Sequence, residues 1–213
     1  MPISHLLRKL WIDKKEFVTA SELRVYCRSF RLAYPAVVDY FVKRKYFVRI
    51  FRGIFYVKSL EEAKLARNKY NHLELVAKGL ELKKVTNWYF GLHTALKLNN
   101  MTHETFAIED VISDKIFSAN PFTIAGYKFK FSRLSSSLLG FGVRKAEHGV
   151  RYSDPEKTIL DFVYIWRYNG MPEEKIAVDV RMWAKGAAKE KVKEYAKRYP
   201  KTVAKIAERV VAR

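Results

Sequence analysis

Tyr34, Ala36, Asp39, Tyr40 and Lys43 are what remains outside a helix over AYPAVVDYFVKRKYF once Val37, Val38, Phe41 and Val42 face inward. Tyr34, Ala36, Tyr40 and Lys43 are candidate base-reading residues, because hydroxyl, methyl and ammonium groups on one helix suit the edges exposed in a DNA major groove. Arg24, Arg28, Arg31 and Arg44 lie on or beside the neighbouring helical faces, where guanidinium groups would hold phosphates. Arg49 and Arg52 sit in the β-rich stretch that follows and would serve a wing. This is the chemistry of recognition, and residue sets for catalysis are thinner. There is no G-x-S-x-G, no phosphate-binding Gly-rich loop and no C-x-x-C pair.

The five histidines, His5, His72, His93, His103 and His148, lack metal-protease spacing, and one cysteine makes a structural zinc site a poor fit. Cys27 falls among apolar helical positions and is expected to pack. Glu109, Asp110 and Asp114, with Glu81-x-Lys83, are the residue types of a Mg-dependent nuclease. The stretch around Asp110 is expected instead to end a strand in a polar turn. Asp154, Glu156 and Asp161 are expected to serve a helix start, with Ser153 and Glu156 as a capping-box pair and Pro155 in the first turn. The expectation is a non-enzyme without cofactor or metal.

The elements that would position these residues follow from period and punctuation. ISHLLRKLW spaces Ile3, Leu6, Leu7, Leu10 and Trp11 as one helical stripe. A second helix starts at Thr19 or Ser21, with Glu22 completing a capping box and Leu23, Tyr26, Cys27 and Phe30 inside. Pro35 opens the third, and FVRI-FRG-IFYV forms a hairpin about Arg52 and Gly53. Three helices and a basic hairpin make a winged helix-turn-helix over residues 1–58.

Residues 59–213 read as a second, mixed domain. A charged helical stretch from residue 59 breaks at Gly79, and Trp88, Leu92, Ala95, Leu96 and Leu98 are spaced as a helix. Residues 105–152 read as several strands in a small sheet, the stretch from Ser153 as a largely buried helix, and the tail from about 187 as two basic helices parted by Pro200. The fold class is α+β.

Charge agrees with a polyanionic partner, since 41 basic and 22 acidic residues leave +19. The excess lies at the ends. Residues 1–58 hold 13 basic and 4 acidic residues, 59–184 hold 18 and 15, and 185–213 hold 10 and 3. Phosphate contacts from both basic ends would supply affinity. No apolar run approaches the roughly 20 residues of a membrane span, and no signal peptide is recognisable, so a cytoplasmic protein without a membrane partner is expected.

WYFGLHTALKLNNMTHE at 88–104 and VRYSDPEKTILDFVY at 150–164 resemble segments of AbiEi-type antitoxins, the latter through Asp154, Pro155, Glu156, Lys157, Thr158, Ile159, Leu160 and Asp161. FVTASELRV and VRIFRGIFYV are similar to that family's N-terminal winged helix, and the likeness spans about residues 15–210. The resemblance implies an autorepressing regulator of a type IV toxin–antitoxin pair. It would bind an inverted-repeat operator in double-stranded DNA and oppose a nucleotidyltransferase toxin without a stable complex. Since one winged helix reads one half-site, a homodimer or cooperative pair is expected there. A Mg-using nuclease and a non-catalytic interaction scaffold are the alternatives left by the residues.

Overall fold

The computed structural model describes residues 2–212, and the chain divides into two compact units. The first takes residues 1–86 with 123–126, the second 87–122 and 127–213. The α+β class holds: helices flank a three-stranded and a six-stranded sheet. No helix among the described residues is long and apolar enough to cross a membrane.

In the first unit, α1 (Pro2–Ile12) is followed by β1 (Phe17–Thr19), α2 (Ala20–Ser29), α3 (Tyr34–Lys43), β2 (Phe47–Phe51) and β3 (Ile54–Val57). The Thr19 side chain accepts from the Glu22 backbone N–H, and the Glu22 carboxylate takes the Thr19 N–H at 2.9 Å. That reciprocal pairing fixes the start of α2. β3 lies centrally in the sheet, antiparallel to β1 and β2. Phe51 pairs with Ile54, so only Arg52 and Gly53 make the turn. Gly53 adopts φ +76°, which a side chain would resist. Its carbonyl accepts from the Ala20 N–H at 2.7 Å, tying the hairpin end to the start of α2. Leu6, Leu10, Val18, Leu23, Cys27, Val37, Phe41 and Phe47 close the core between helices and sheet. Burial pushes the Cys27 thiol up, in keeping with an inert packing role.

The first unit extends past residue 58 because α5 (His72–Leu82) packs on β2 and β3. Gly79 does not break this helix as expected. It is the contact point, where a Cβ would stand 2.6 Å from Ile50 Cγ2. The charged stretch parts earlier, between α4 (Leu60–Lys64) and Asn71, which caps α5 in a box with Glu74.

Carboxylates stitch this unit together. Hydrogen bonding from Lys69 holds Glu16 below its ordinary value, and hydrogen bonds from Tyr56 and the backbone outweigh burial to lower Glu62. A carboxyl lowered by folding stabilises above its unfolded value and loses that contribution as pH falls through the folded one. The protection of amides in α4 and the 65–70 loop, relative to their intrinsic exchange rates, should therefore fall below about pH 4.5, and Glu62→Gln should flatten that acid dependence.

The second sheet has strand order β6-β7-β5-β4-β9-β8. Its members are β4 (Trp88–Phe90), β5 (Ile108–Ser113), β6 (Phe122–Ile124), β7 (Tyr127–Arg133), β8 (Val143–Lys145) and β9 (Arg151–Ser153). β5 is parallel to β7 and antiparallel to β4, and β9 is parallel to β4 and antiparallel to β8. Trp88 thus belongs to a strand, with Gly91 parting it from α6 (Leu92–Leu98). Helices α7 (Pro155–Tyr168), α8 (Glu173–Trp183), α9 (Lys189–Ala196) and α10 (Lys201–Val211) form a second core through Leu160, Val163, Ile176, Val180, Val203 and Ile206.

Candidate nucleic-acid interface

The ten residues expected to meet DNA are each exposed or half-buried. Arg24 and Arg28 project from α2, and Arg31 occupies the left-handed region, φ +54°, in the turn to α3. That turn is closed by the Leu32 N–H donating to Cys27 O at 2.8 Å. Pro35 stands in the first turn of α3, whose Val37, Val38 and Phe41 are buried. Ala36, Asp39 and Lys43 are exposed, with Tyr34 and Tyr40 half-buried.

Two arginines already lie against the aromatic candidates. The Arg24 guanidinium is 4.7 Å from the Tyr34 ring centre, and Arg44 is 5.7 Å from that of Tyr40. Such stacking orients both partners at modest cost in freedom. Lys43 pairs with Asp39 at 2.8 Å, but both are exposed, so a phosphate could displace a bond worth about 0–1 kcal/mol. Arg49 lies 5.6 Å from the Phe55 ring centre on the hairpin, and Arg52 is exposed in its turn. Tyr26 is committed elsewhere: it donates to Asp13 at 2.7 Å, and burial with that carboxylate raises its phenol to about 12.

The second basic surface is the C-terminal tail, expected as two basic helices. From Arg181 to Arg209 each fourth residue is basic: 181, 185, 189, 193, 197, 201, 205 and 209. All eight are exposed. Residues four apart share a helix side, which gathers Lys189 and Lys193 on α9 and Lys201, Lys205 and Arg209 on α10. Lys193 pairs with Glu190, and Arg209 approaches Glu173 at 3.9 Å. Lys185, Lys189, Lys197, Lys201 and Lys205 make no ion pair among the described residues. The basic excess of this tail is plain in the sequence, and the four-residue period is the further signal that groups it by helix side.

The carboxylates weighed for catalysis disperse. Glu109 takes the Thr94 hydroxyl at 2.7 Å and Lys97 at 3.0 Å, while its neighbour Asp110 meets His93 Nδ1 at 3.0 Å. Asp114 accepts from Asn87. Glu81 pairs with Lys78, and Lys83 lies over Phe51. Asp110 is in the middle of β5, not at a turn, since β5 pairs with β7 throughout its length. Among the described residues no three His, Cys, Asp or Glu side chains are grouped to hold a metal ion. His93 packs against Phe106, Phe162 and Trp183, whereas His103 is exposed.

The Asp-Pro-Glu segment does more than start a helix. Asp154, not Ser153, caps α7, accepting from the Lys157 N–H at 2.9 Å. Ser153 bonds Thr158 instead, and Glu156 takes the Ala188 N–H. Lys191 bridges Asp154 and Glu156 at 2.9 and 3.0 Å, which fastens α9 to α7. Asp161 lies within the helix and is wholly buried with Lys157. Lys157 Nζ donates to Leu138 O at 2.6 Å and Tyr199 OH at 3.0 Å, and sits 3.3 Å from Asp161. Tyr199 and Tyr89 donate to the two Asp161 oxygens at 2.7 and 2.8 Å. Burial pushes the Asp161 carboxyl up against the pull of Lys157 and both phenols.

No protein-family model matches the chain, and no curated protein does. Among solved structures it is similar to the RV2827C protein from Mycobacterium tuberculosis, at 10% identity and a TM-score of 0.61, over 99% of this chain and 76% of that one. At that identity the likeness is one of fold.

Proposed function

We propose that the first unit is a winged helix-turn-helix that binds double-stranded DNA, and that the chain is a non-catalytic transcriptional regulator. The observation that carries this reading is the exposed face of α3, with Ala36, Tyr40 and Lys43 outward and Arg24 and Arg44 stacked beside it. α3 would enter the major groove, with Arg28 and Arg31 on phosphates and Arg49 and Arg52 on the flanking backbone. Affinity comes from phosphate contacts and sequence preference from α3. One such module reads one half-site, so two copies would occupy an inverted repeat. The resemblance of residues 88–104 and 150–164 to AbiEi-type antitoxins favours autorepression beside a nucleotidyltransferase toxin gene.

Fluorescence anisotropy on the chain's own upstream duplex and a scrambled duplex tests the reading. The native duplex should bind more tightly, and Tyr40→Ala should remove about 1–3 kcal/mol of that preference while leaving scrambled binding nearly unchanged. Equal binding to both duplexes would remove the sequence-reading role, and no binding would remove the DNA reading altogether. Metal-dependent strand cleavage lost on Asp110→Ala would make the protein a nuclease.

A further inference from the structure

The first unit holds an open cavity of about 1170 Å³ that DNA binding leaves without a role. It is larger than the roughly 300–1,000 Å³ of common small-molecule sites, so a ligand would occupy part of it. Its walls come from the end of α1, from β1, from the end of β3 and from residues 59–69. All belong to one unit.

The apolar side consists of Trp11, Phe17, Val57, Leu60 and Leu65. Trp11 is anchored by its Nε1–H donating to Lys58 O at 2.8 Å, and Phe17 by the rings of Tyr56 and Tyr70. Leu60 and Leu65 are 48% and 59% exposed, an arrangement that leaves apolar surface in water beside fixed aromatic rings.

The charges of the lining select the sign of a ligand. Glu16 already accepts from Lys69 Nζ and Tyr70 OH, and Glu62 from Tyr56 OH and the N–H groups of Ser59 and Lys69. Those two carboxylates have little left to offer a cation, and the third, exposed Glu61, stands against four cations of the same lining, Lys14, Lys15, Arg67 and Lys69. Lys15 pairs with Glu22 of the α2 capping box at 3.2 Å, which joins the cavity to the start of that helix. Lys14 and Arg67 are exposed and have no ion pair among the described residues.

We propose that this cavity binds a small amphipathic organic anion, with an alkyl or aromatic body against Trp11, Phe17, Leu60 and Leu65 and one carboxylate or sulfonate group at Lys14 and Arg67. Desolvating the leucines supplies affinity, and the two cations orient the molecule. The site stands on the first unit alone and does not require that unit to bind DNA.

Anilinonaphthalene sulfonate, an aromatic anion that fluoresces when desolvated, is the probe, titrated into the full chain without DNA. Saturation at one probe per chain is expected, with displacement by decanoate but not by decanol or inorganic phosphate at equal concentration. Arg67→Glu and Lys14→Glu, both at exposed unpaired positions, should each weaken binding about tenfold, the scale of one charge-assisted hydrogen bond. Leu65→Asn should weaken it as well, whereas Met182→Asn, which changes an exposed apolar residue of the second unit, should not. Binding unaltered by the charge reversals and by Leu65→Asn, or lost in Met182→Asn instead, would overturn the site. Displacement by inorganic phosphate would overturn the amphipathic ligand class.

Discussion

Lys157→Met is expected to destabilise the second unit by about 3–5 kcal/mol, because it leaves the fully buried Asp161 without its cation. Urea unfolding followed by tryptophan fluorescence measures this, since Trp88, Trp166 and Trp183 lie in that unit and Trp11 in the other. Leu138 O also loses a donor at 2.6 Å, and the Tyr199 hydroxyl loses one at 3.0 Å. The loss should depend on pH with a definite sign. Burial already raises Asp161 above its ordinary 3.8, and removing Lys157 raises it further. A carboxyl raised by folding stabilises below its unfolded value and loses that contribution as pH rises through the folded one. The variant should therefore lie closest to the parent near pH 4 and furthest from it near pH 8.

Adding Asp161→Leu removes the stranded charge and should recover part of the loss. It cannot recover all, because the Tyr89 and Tyr199 hydroxyls then lack their acceptor at about 1–3 kcal/mol each. Further replacement of both tyrosines by phenylalanine should recover most of the remainder. A Lys157→Met variant within about 1 kcal/mol of the parent at neutral pH would show that water reaches the cluster and that the pair is not buried in solution.

This cluster marks where the sequence stops being readable. Lys157 stands between a glutamate and a threonine in the first turns of a helix, where lysine is ordinarily solvated. Its burial is decided by Leu138, Tyr199 and Tyr89, residues 19, 42 and 68 positions away, and no local pattern records them. Within the first unit, the starts of α2 and α3 and the hairpin turn are legible because their signals are short-range. Thr19 with Glu22, Pro35, and the Arg52-Gly53 turn each act within four residues and each appear where the spacing puts them. Strands of three residues, β1 and β4, are too short to show alternation. Trp88 and Leu92 stand four apart and so imitate a helix until Gly91 is taken as its boundary. Gly79 reads as a breaker in sequence, yet its lack of a side chain is what lets α5 approach β2. α8 was missed although Ile176, Ala177 and Val180 follow helical period, because it opens at Pro172 between two longer signals.

Replacing Lys185, Lys189, Lys197, Lys201 and Lys205 together by glutamine is expected to flatten the salt dependence of DNA binding with little change in fold. Each lysine that neutralises a phosphate contributes about 0.9 to the slope of log K against log salt concentration, so five contacts would contribute about 4.5. Substitution is a cleaner test than deletion of residues 187–213. Deletion also takes away Val192, Ala196, Tyr199, Val203, Ile206 and Val210, which lie in the second core, and with Tyr199 it breaks the Lys157 cluster. The five lysines are exposed and free of ion pairs among the described residues, so glutamine costs them no internal partner. A lysine-rich surface that serves only solubility would leave the slope at the value set by the first unit. A slope shallower by several units, with the preference for the native duplex retained, would mean that α3 chooses the sequence while α9 and α10 supply affinity without regard to it. Loss of preference together with slope would instead place the second unit in the reading of sequence.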